Sequence, residues 1–112
     1  MSSLNGISAN LTKTSYYMGT DLNVVLYVKN DNTLETMSTI TPQRLDSTGV
    51  WQDFDWWTSA NLVPEQNERF DFGIGTGKDF PSKGTFRFVL DSVMGPNSTD
   101  IGKLISPTFY IK

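Results

Sequence analysis

The chain has 112 residues, enough for one hydrophobic core and too few for two, so we expect a single domain over residues 1–112. Its net charge is −3, and its nine Lys and Arg residues form no basic cluster of the kind that binds nucleic acid. It contains no His and no Cys, so the usual residues of zinc sites, thiol nucleophiles and Ser–His–Asp relays are missing, and we expect no metal, no cofactor and no enzymatic activity.

Apolar and polar residues alternate with a period of two in short runs that turn-forming residues separate, which is typical of an all-β chain. The runs predict strands over residues 7–12, 22–29, 37–41, 50–57, 68–74, 85–91 and 107–111, with loops over 61–67 and 94–103. Pro42 is expected to end the third strand because it lacks an N–H group. Seven or eight such strands predict an antiparallel two-sheet sandwich, with a small barrel as the alternative.

All three Trp residues lie within residues 51–57 (WQDFDWW). If this stretch is one strand, Phe54 and Trp56 face the core. The opposite face then carries the remaining aromatic and acidic side chains: Trp51, Asp53, Asp55 and Trp57. Flat indole faces beside hydrogen-bond acceptors are what a sugar-binding surface needs, and Trp51 and Trp57 would be about 20 Å apart, a span for several linked sugars. Gln52 and Tyr17 are candidates to extend it. The alternatives are that the stretch is a loop, or that a Trp packs under a neighbouring loop.

Two further interpretations concern the acidic residues. On one strand, Asp53 and Asp55 would lie about 7 Å apart, near the separation of the carboxylates of an inverting glycosidase. Nothing in the sequence indicates a cleft that would exclude water, so we interpret them as a solvated face. Asn and Asp around residues 30–32 are possible calcium ligands, but turns have the same composition, and we predict no metal site.

Three segments resemble the immunoglobulin-like sandwich domains of microbial surface proteins and carbohydrate-active enzymes. They are residues 17–30 (YMGTDLNVVLYVKN), 61–72 (NLVPEQNERFDF) and 80–90 (FPSKGTFRFVL), about a third of the chain. The chain departs from the usual pattern at residues 64–66, where such domains carry Pro-Gly-Glu or Pro-Gly-Asp, and it lacks the antibody-type cysteine pair. The resemblance implies a non-catalytic module: a spacer, an adhesion unit or a glycan binder.

We therefore expect a recognition module that binds a polysaccharide or glycan through the face around Trp51. The alternative is a structural or assembly protein, such as a spacer, a fibre subunit or an accessory domain of a virus or phage particle, in which the Trp cluster contacts a protein partner or another copy. We expect no nucleic-acid partner. No apolar run is long enough to span a membrane, and the start resembles no signal peptide. The expected location is extracellular or at the cell surface, as part of a larger protein, or alternatively the virion.

Overall fold

The computed structural model describes residues 2–112 as two β-sheets packed face to face, which confirms the predicted all-β sandwich. The strands are β1 (Ser2–Leu4), β2 (Ile7–Leu11), β3 (Ser15–Tyr16), β4 (Asn23–Asn30), β5 (Thr36–Leu45), β6 (Trp51–Asp53), β7 (Thr58–Leu62), β8 (Asn67–Gly73), β9 (Gly84–Met94), β10 (Thr99–Ile105) and β11 (Phe109–Ile111). Within these residues, no helix is long and apolar enough to cross a membrane.

The smaller sheet has the order β1-β2-β4-β8, and β5 and β9 form the centre of the larger sheet. Each central strand has two short neighbours along its outer side: β6 and β7 beside β5, and β10 and β11 beside β9. The two-residue strand β3 completes this sheet and runs parallel to β11, while the other pairs are antiparallel. The sequence prediction missed the short strands β1 and β3. It left residues 58–60 of β7 unassigned and placed the last two residues of β7 and most of β10 in loops.

The core fills the space between the sheets, and its centre is aromatic. Phe80 lies between β8 and β9, outside both strands, and is fully buried. Its ring packs edge-to-face against aromatic rings from both sheets and from the segment after β6: Phe54, Trp56, Phe72, Phe86, Phe88 and Phe109. Edge-to-face contacts of this kind add to the stabilisation that burial provides. Phe80 therefore joins the two sheets at one point.

Pro42 does not end the third strand, contrary to the sequence prediction. β5 continues to Leu45, and Pro42 lies directly opposite Phe88 of β9. The Pro42 carbonyl accepts a hydrogen bond from Phe54 N, so the Pro42 nitrogen faces the same side, towards β6 and β7. The chain leaves the sheet between these two strands. No ladder bond is lost there, so a proline is tolerated inside the sheet.

β10 was predicted as a loop because a bulge hides its alternation. Asp100 is opposite Val93 and Gly102 is opposite Ser92, so Ile101 is an extra residue in the strand. Gly102 adopts a φ of 103°, and its N–H donates to the Asp100 carboxylate. The extra residue changes which side chains face the core, so that both Ile101 and Leu104, three positions apart, pack towards it.

We expect Tyr16→Phe to stabilise the protein. Tyr16 is fully buried, and its hydroxyl has no hydrogen-bond partner among residues 2–112. A buried hydroxyl without a partner is destabilising, so its removal should raise the free energy of unfolding by about 1 kcal/mol. Urea unfolding followed by circular dichroism would measure the change. A lower stability for Tyr16→Phe would contradict this, and would show that the hydroxyl is hydrogen-bonded in solution.

Candidate functional site on the outer face of the larger sheet

The Trp-rich stretch is not one strand, so the single face predicted for it does not form. β6 ends at Asp53, and β7 begins at Thr58. Phe54 continues the register of β6 and lies opposite Pro42, whereas Thr58 lies opposite Ile40. The chain therefore advances by four residues, from 54 to 58, where β5 advances by only two. The two extra residues bend the chain out of the sheet.

The inward half of the stretch was predicted correctly. Phe54 and Trp56 pack against the core, and their rings meet edge-to-face at 6.0 Å. The indole N–H of Trp56 donates to the carbonyl of Asp79, which ties the bend to the segment that carries Phe80. The bend is therefore held by aromatic packing beneath it.

On the outer face, Trp51 and Asp53 belong to a connected polar array. The guanidinium carbon of Arg87 lies 4.2 Å from the centre of the Trp51 ring. Arg87 Nε donates to Gln43 Oε1 at 2.7 Å, and Gln43 Nε2 donates to Asp53 Oδ1 at 2.8 Å. The Gln43 amide is thus fixed at both ends, between a cation and a carboxylate. The array presents an indole, a guanidinium, an amide and a carboxylate side by side.

The array opens onto a shallow groove of about 330 Å³ that extends over β5 and β9 and reaches β10. Its floor is mixed: hydroxyls and aliphatic side chains lie in the middle, and Asp91 and Lys103 lie at the far end. The lining residues are Thr39, Thr41, Gln43, Asp53, Arg87, Val89, Asp91, Lys103 and Ile105. A groove with this lining suits a ligand that has both hydroxyl groups and apolar C–H faces.

Gln52 is turned away from the array and supports the turn before β6. Its Nε2 donates to Asp46 Oδ2, and the other Asp46 oxygen accepts bonds from Thr48 and from Val50 N. These bonds, the Thr48 hydroxyl first, hold the pKa of Asp46 well below its ordinary value. Gln52 therefore stabilises the turn that precedes Trp51 and is not part of the array.

The remaining predicted site residues are dispersed. Asp55 is exposed in the bend after β6. Trp57 is 64% exposed in the same bend. Tyr17 is 51% exposed but follows β3, so β11, β9 and β5 separate it from Trp51. Placing Tyr17 beside the Trp residues was wrong, because β3 and β6 are the two opposite edges of this sheet.

Sequence reasoning missed Arg87 and Gln43, which make the array. Arg87 was noted only as the outward residue of its strand, and Gln43 was placed beyond a strand end. The two lie 44 positions apart and meet because β5 and β9 are neighbours, with Gln43 directly opposite Arg87. An outward Arg between two buried Phe residues was the one available signal.

Asn30 and Asp31, two of the turn residues considered as calcium ligands, have polar partners within the chain. The buried side chain of Asn30 donates to the carbonyls of Leu34 and Leu62, and Asp31 pairs with Lys29. In the described part of the chain, no three His, Cys, Asp or Glu side chains come together as possible metal ligands.

No protein-family model and no curated protein matches the chain. Solved structures with a similar backbone include an alkylpurine DNA glycosylase from Pseudomonas fluorescens bound to DNA with an abasic site analog (16% identity, TM-score 0.44, 96% of this chain and 30% of that one). Two others are a β-glucuronidase from Bacteroides uniformis (14%, 0.44, 96% and 13%) and a β-glucosidase from Listeria innocua (12%, 0.41, 98% and 16%). The chain spans less than a third of each of these proteins.

We expect the inward and outward Trp residues to differ sharply in their effect on stability. Trp56→Ala removes an indole from the aromatic core and should lower the free energy of unfolding by ~3–5 kcal/mol. Trp51→Ala removes a half-buried ring and its contact with Arg87, a loss of about 1 kcal/mol. Urea unfolding followed by circular dichroism would compare them. Equal losses would contradict the placement of the two residues.

We expect Asp46 to contribute to the acid sensitivity of the β5–β6 turn. Its pKa is lowered in the folded state, so its contribution to stability is present above the unfolded value of about 3.9 and is lost as the pH falls below that value. Asp46→Asn should flatten the dependence of stability on pH below about pH 4. Unfolding curves at several acid pH values would measure this, with Asp55→Asn as the matched control. An unchanged profile in Asp46→Asn would show that the turn bonds do not persist in solution.

Proposed function

We propose that this domain is a non-catalytic recognition module that binds carbohydrate on the outer face of its larger sheet. The observation that carries the proposal is the array of Trp51, Arg87, Gln43 and Asp53, in which an indole lies beside fixed donors and acceptors. A sugar ring offers an apolar C–H face for an aromatic ring and hydroxyls for amides, carboxylates and guanidinium groups.

The shape of the face also supports a glycan. Arg87 covers one side of the Trp51 indole, so the sugar would contact the other side or the ring edge. The groove then leads away from the array across β5, β9 and β10, which gives room for further units of a linear chain. It is shallow and exposed, so each unit would bury few atoms, and the affinity for one unit would be low.

The strand order supports an immunoglobulin-like module. β2, β4 and β8 lie side by side in one sheet, and β5, β9 and the β10–β11 pair lie side by side in the other. These are the neighbours that strands A, B, E and C, F, G have in immunoglobulin sandwiches. Domains of this architecture have many functions, so the glycan is argued from the array alone. A module of this kind would serve at a cell surface or in another extracellular setting, or on a virion.

The non-catalytic part of the proposal rests on the separation of the two candidate carboxylates. Asp53 lies on β6 and hydrogen-bonds Gln43, whereas Asp55 lies in the bend, so the two no longer share a strand face. A glycosidase needs two carboxyl groups flanking one bond in a site that excludes water. The exposed groove provides no such enclosure.

A second candidate function, contact with a protein partner, is favoured by Trp57. This indole is 64% exposed in the bend between β6 and β7, next to the edge of the larger sheet. Exposed Trp residues are frequent centres of binding energy at protein interfaces. Alanine variants separate the two candidates, because Trp51→Ala would lose binding of the glycan and Trp57→Ala would lose binding of the protein partner.

We expect a glycan array to give a positive signal that depends on Trp51. For the oligosaccharide found, isothermal titration should show binding at least about tenfold weaker in Trp51→Ala, since each tenfold corresponds to about 1.4 kcal/mol. Asp53→Asn should also weaken it, because the substitution removes the negative charge and one of the two acceptor oxygens from a side chain that Gln43 holds in place.

Tyr17→Ala is the matched control, because it removes an exposed aromatic ring at the opposite edge of the same sheet and should bind as the parent does. A blank array with folded protein would overturn the carbohydrate function. A partner protein lost in Trp57→Ala but retained in Trp51→Ala would establish the second candidate instead.

A further inference from the structure

The smaller sheet ends in a strand whose outer edge pairs with no further strand. Among residues 2–112, β8 pairs with β4 on one side and with no strand on the other. The remaining edges are limited: β1 and β3 have two or three residues, β6 and β7 are interrupted, and β10 contains a bulge. Short, interrupted or bulged edges resist pairing with another chain, and β8 has none of these features.

The hydrogen bonds of Gly73 show which main-chain groups of β8 point away from β4, towards the outer edge. Its N–H donates to the Asp79 carboxylate, and its carbonyl accepts from Phe80 N, so both groups point away from β4. Ile74 N, the next residue, donates back towards β4, to Leu22 O. Since directions alternate along a strand, the N–H and C=O groups of Asn67, Arg69 and Asp71 point outward as well.

The charged side chains on this edge are complementary to those on the same edge of a second copy of the chain. Arg69 and Asp71 are both exposed on the outer face, two positions apart, and form an ion pair at 3.0 Å within the chain. If a second β8 runs antiparallel with Phe70 opposite its own copy, Arg69 lies opposite Asp71 in both directions. A shift by two residues places either Arg69 opposite Arg69 or Asp71 opposite Asp71, which is destabilising.

We propose that two copies of this chain associate through their β8 edges, in the register that places Phe70 opposite Phe70. Arg69 and Asp71 then form two hydrogen-bonded pairs across a two-fold axis, and the two smaller sheets become one continuous sheet. Pairing stops at Gly73, whose main-chain groups are already bonded. The paired segment is short, so the dimer is weak and forms at high protein concentration. This proposal is independent of the carbohydrate function.

Sedimentation equilibrium from about 10 µM to about 1 mM would test it. Arg69→Asp and Asp71→Arg should each weaken the dimer at least about tenfold, because each places like charges opposite one another, and the double reversal should restore it. Lys83→Asp makes the same charge change as Arg69→Asp away from the edge and should leave association unchanged. A protein that stays monomeric throughout, or a double reversal that fails to restore association, would overturn the proposal.

A crosslinking experiment tests the register and is simple because the chain has no Cys. In the proposed dimer the two Phe70 Cα atoms are about 4.5 Å apart, which a disulfide can span, so oxidised Phe70→Cys should form a covalent dimer. Glu68→Cys is the control, since its two copies would be about 14 Å apart and should not crosslink. Equal crosslinking of the two variants would contradict the register. If Phe70→Cys does not fold, the charge reversals still decide.

Discussion

The pairing of Pro42 with Phe88 at the centre of the larger sheet sets where its outer strands divide. The main-chain polar groups of each residue point within the sheet towards the neighbouring outer strands. On both sides the outer strand is interrupted here, between β6 and β7 beside Pro42 and between β10 and β11 beside Phe88. Beside Pro42, only a carbonyl needs a partner, and Phe54 N supplies the donor. Beside Phe88, Ser106 supplies both partners: its hydroxyl accepts from Phe88 N, and its own N–H donates to Phe88 O. Each interruption therefore leaves few buried polar groups unsatisfied.

The division beside Pro42 gives the Trp-rich stretch its two roles. The chain leaves the sheet after Phe54, and the bend contains two residues more than a continuous strand would. Trp56 therefore reaches the core beneath the sheet edge. Trp51 lies before the bend and stays in the ladder, where its position is fixed by pairing with Leu45. One short segment thus anchors the two sheets to each other and contributes the aromatic ring of the candidate site. The aromatic packing below holds that edge of the sheet against the core.

Local patterns in the sequence predicted those parts of the fold that depend on neighbouring residues alone. β4 has strict alternation and ends at Asn30, where the side chain bonds the local backbone, and its bounds were predicted within a residue. β5 and β10 were not, because the tolerance of Pro42 and the bulge at Ile101 depend on which strands lie beside them. The hairpin of β1 was missed although Asn5 and Gly6, both with positive φ, form a strong turn signal.

The candidate site was predicted only in part, for the same reason. Trp51 and Asp53 were chosen for their residue type, and the structure places them together on the outer face. Their partners Gln43 and Arg87 come from strands eight or more positions distant along the chain, so only the order of the strands reveals them. Tyr17 was grouped with Trp51 by type as well, and the order of the strands separates them.

The array differs from an ordinary polar surface because its members are already oriented. Gln43 is held by Arg87 at one end and Asp53 at the other, and Arg87 is also held by the Trp51 ring. Side chains that are fixed before a ligand arrives lose less conformational entropy on binding. The same bonds occupy Arg87 Nε and Asp53 Oδ1, so the proposed ligand would meet the outer guanidinium nitrogens and the remaining carboxylate oxygen of Asp53. Those groups can form short, directional bonds with hydroxyls, and the proposal therefore places the glycan on this face rather than in the cavity beside Met37 and Val93, whose lining residues include no Lys or Arg.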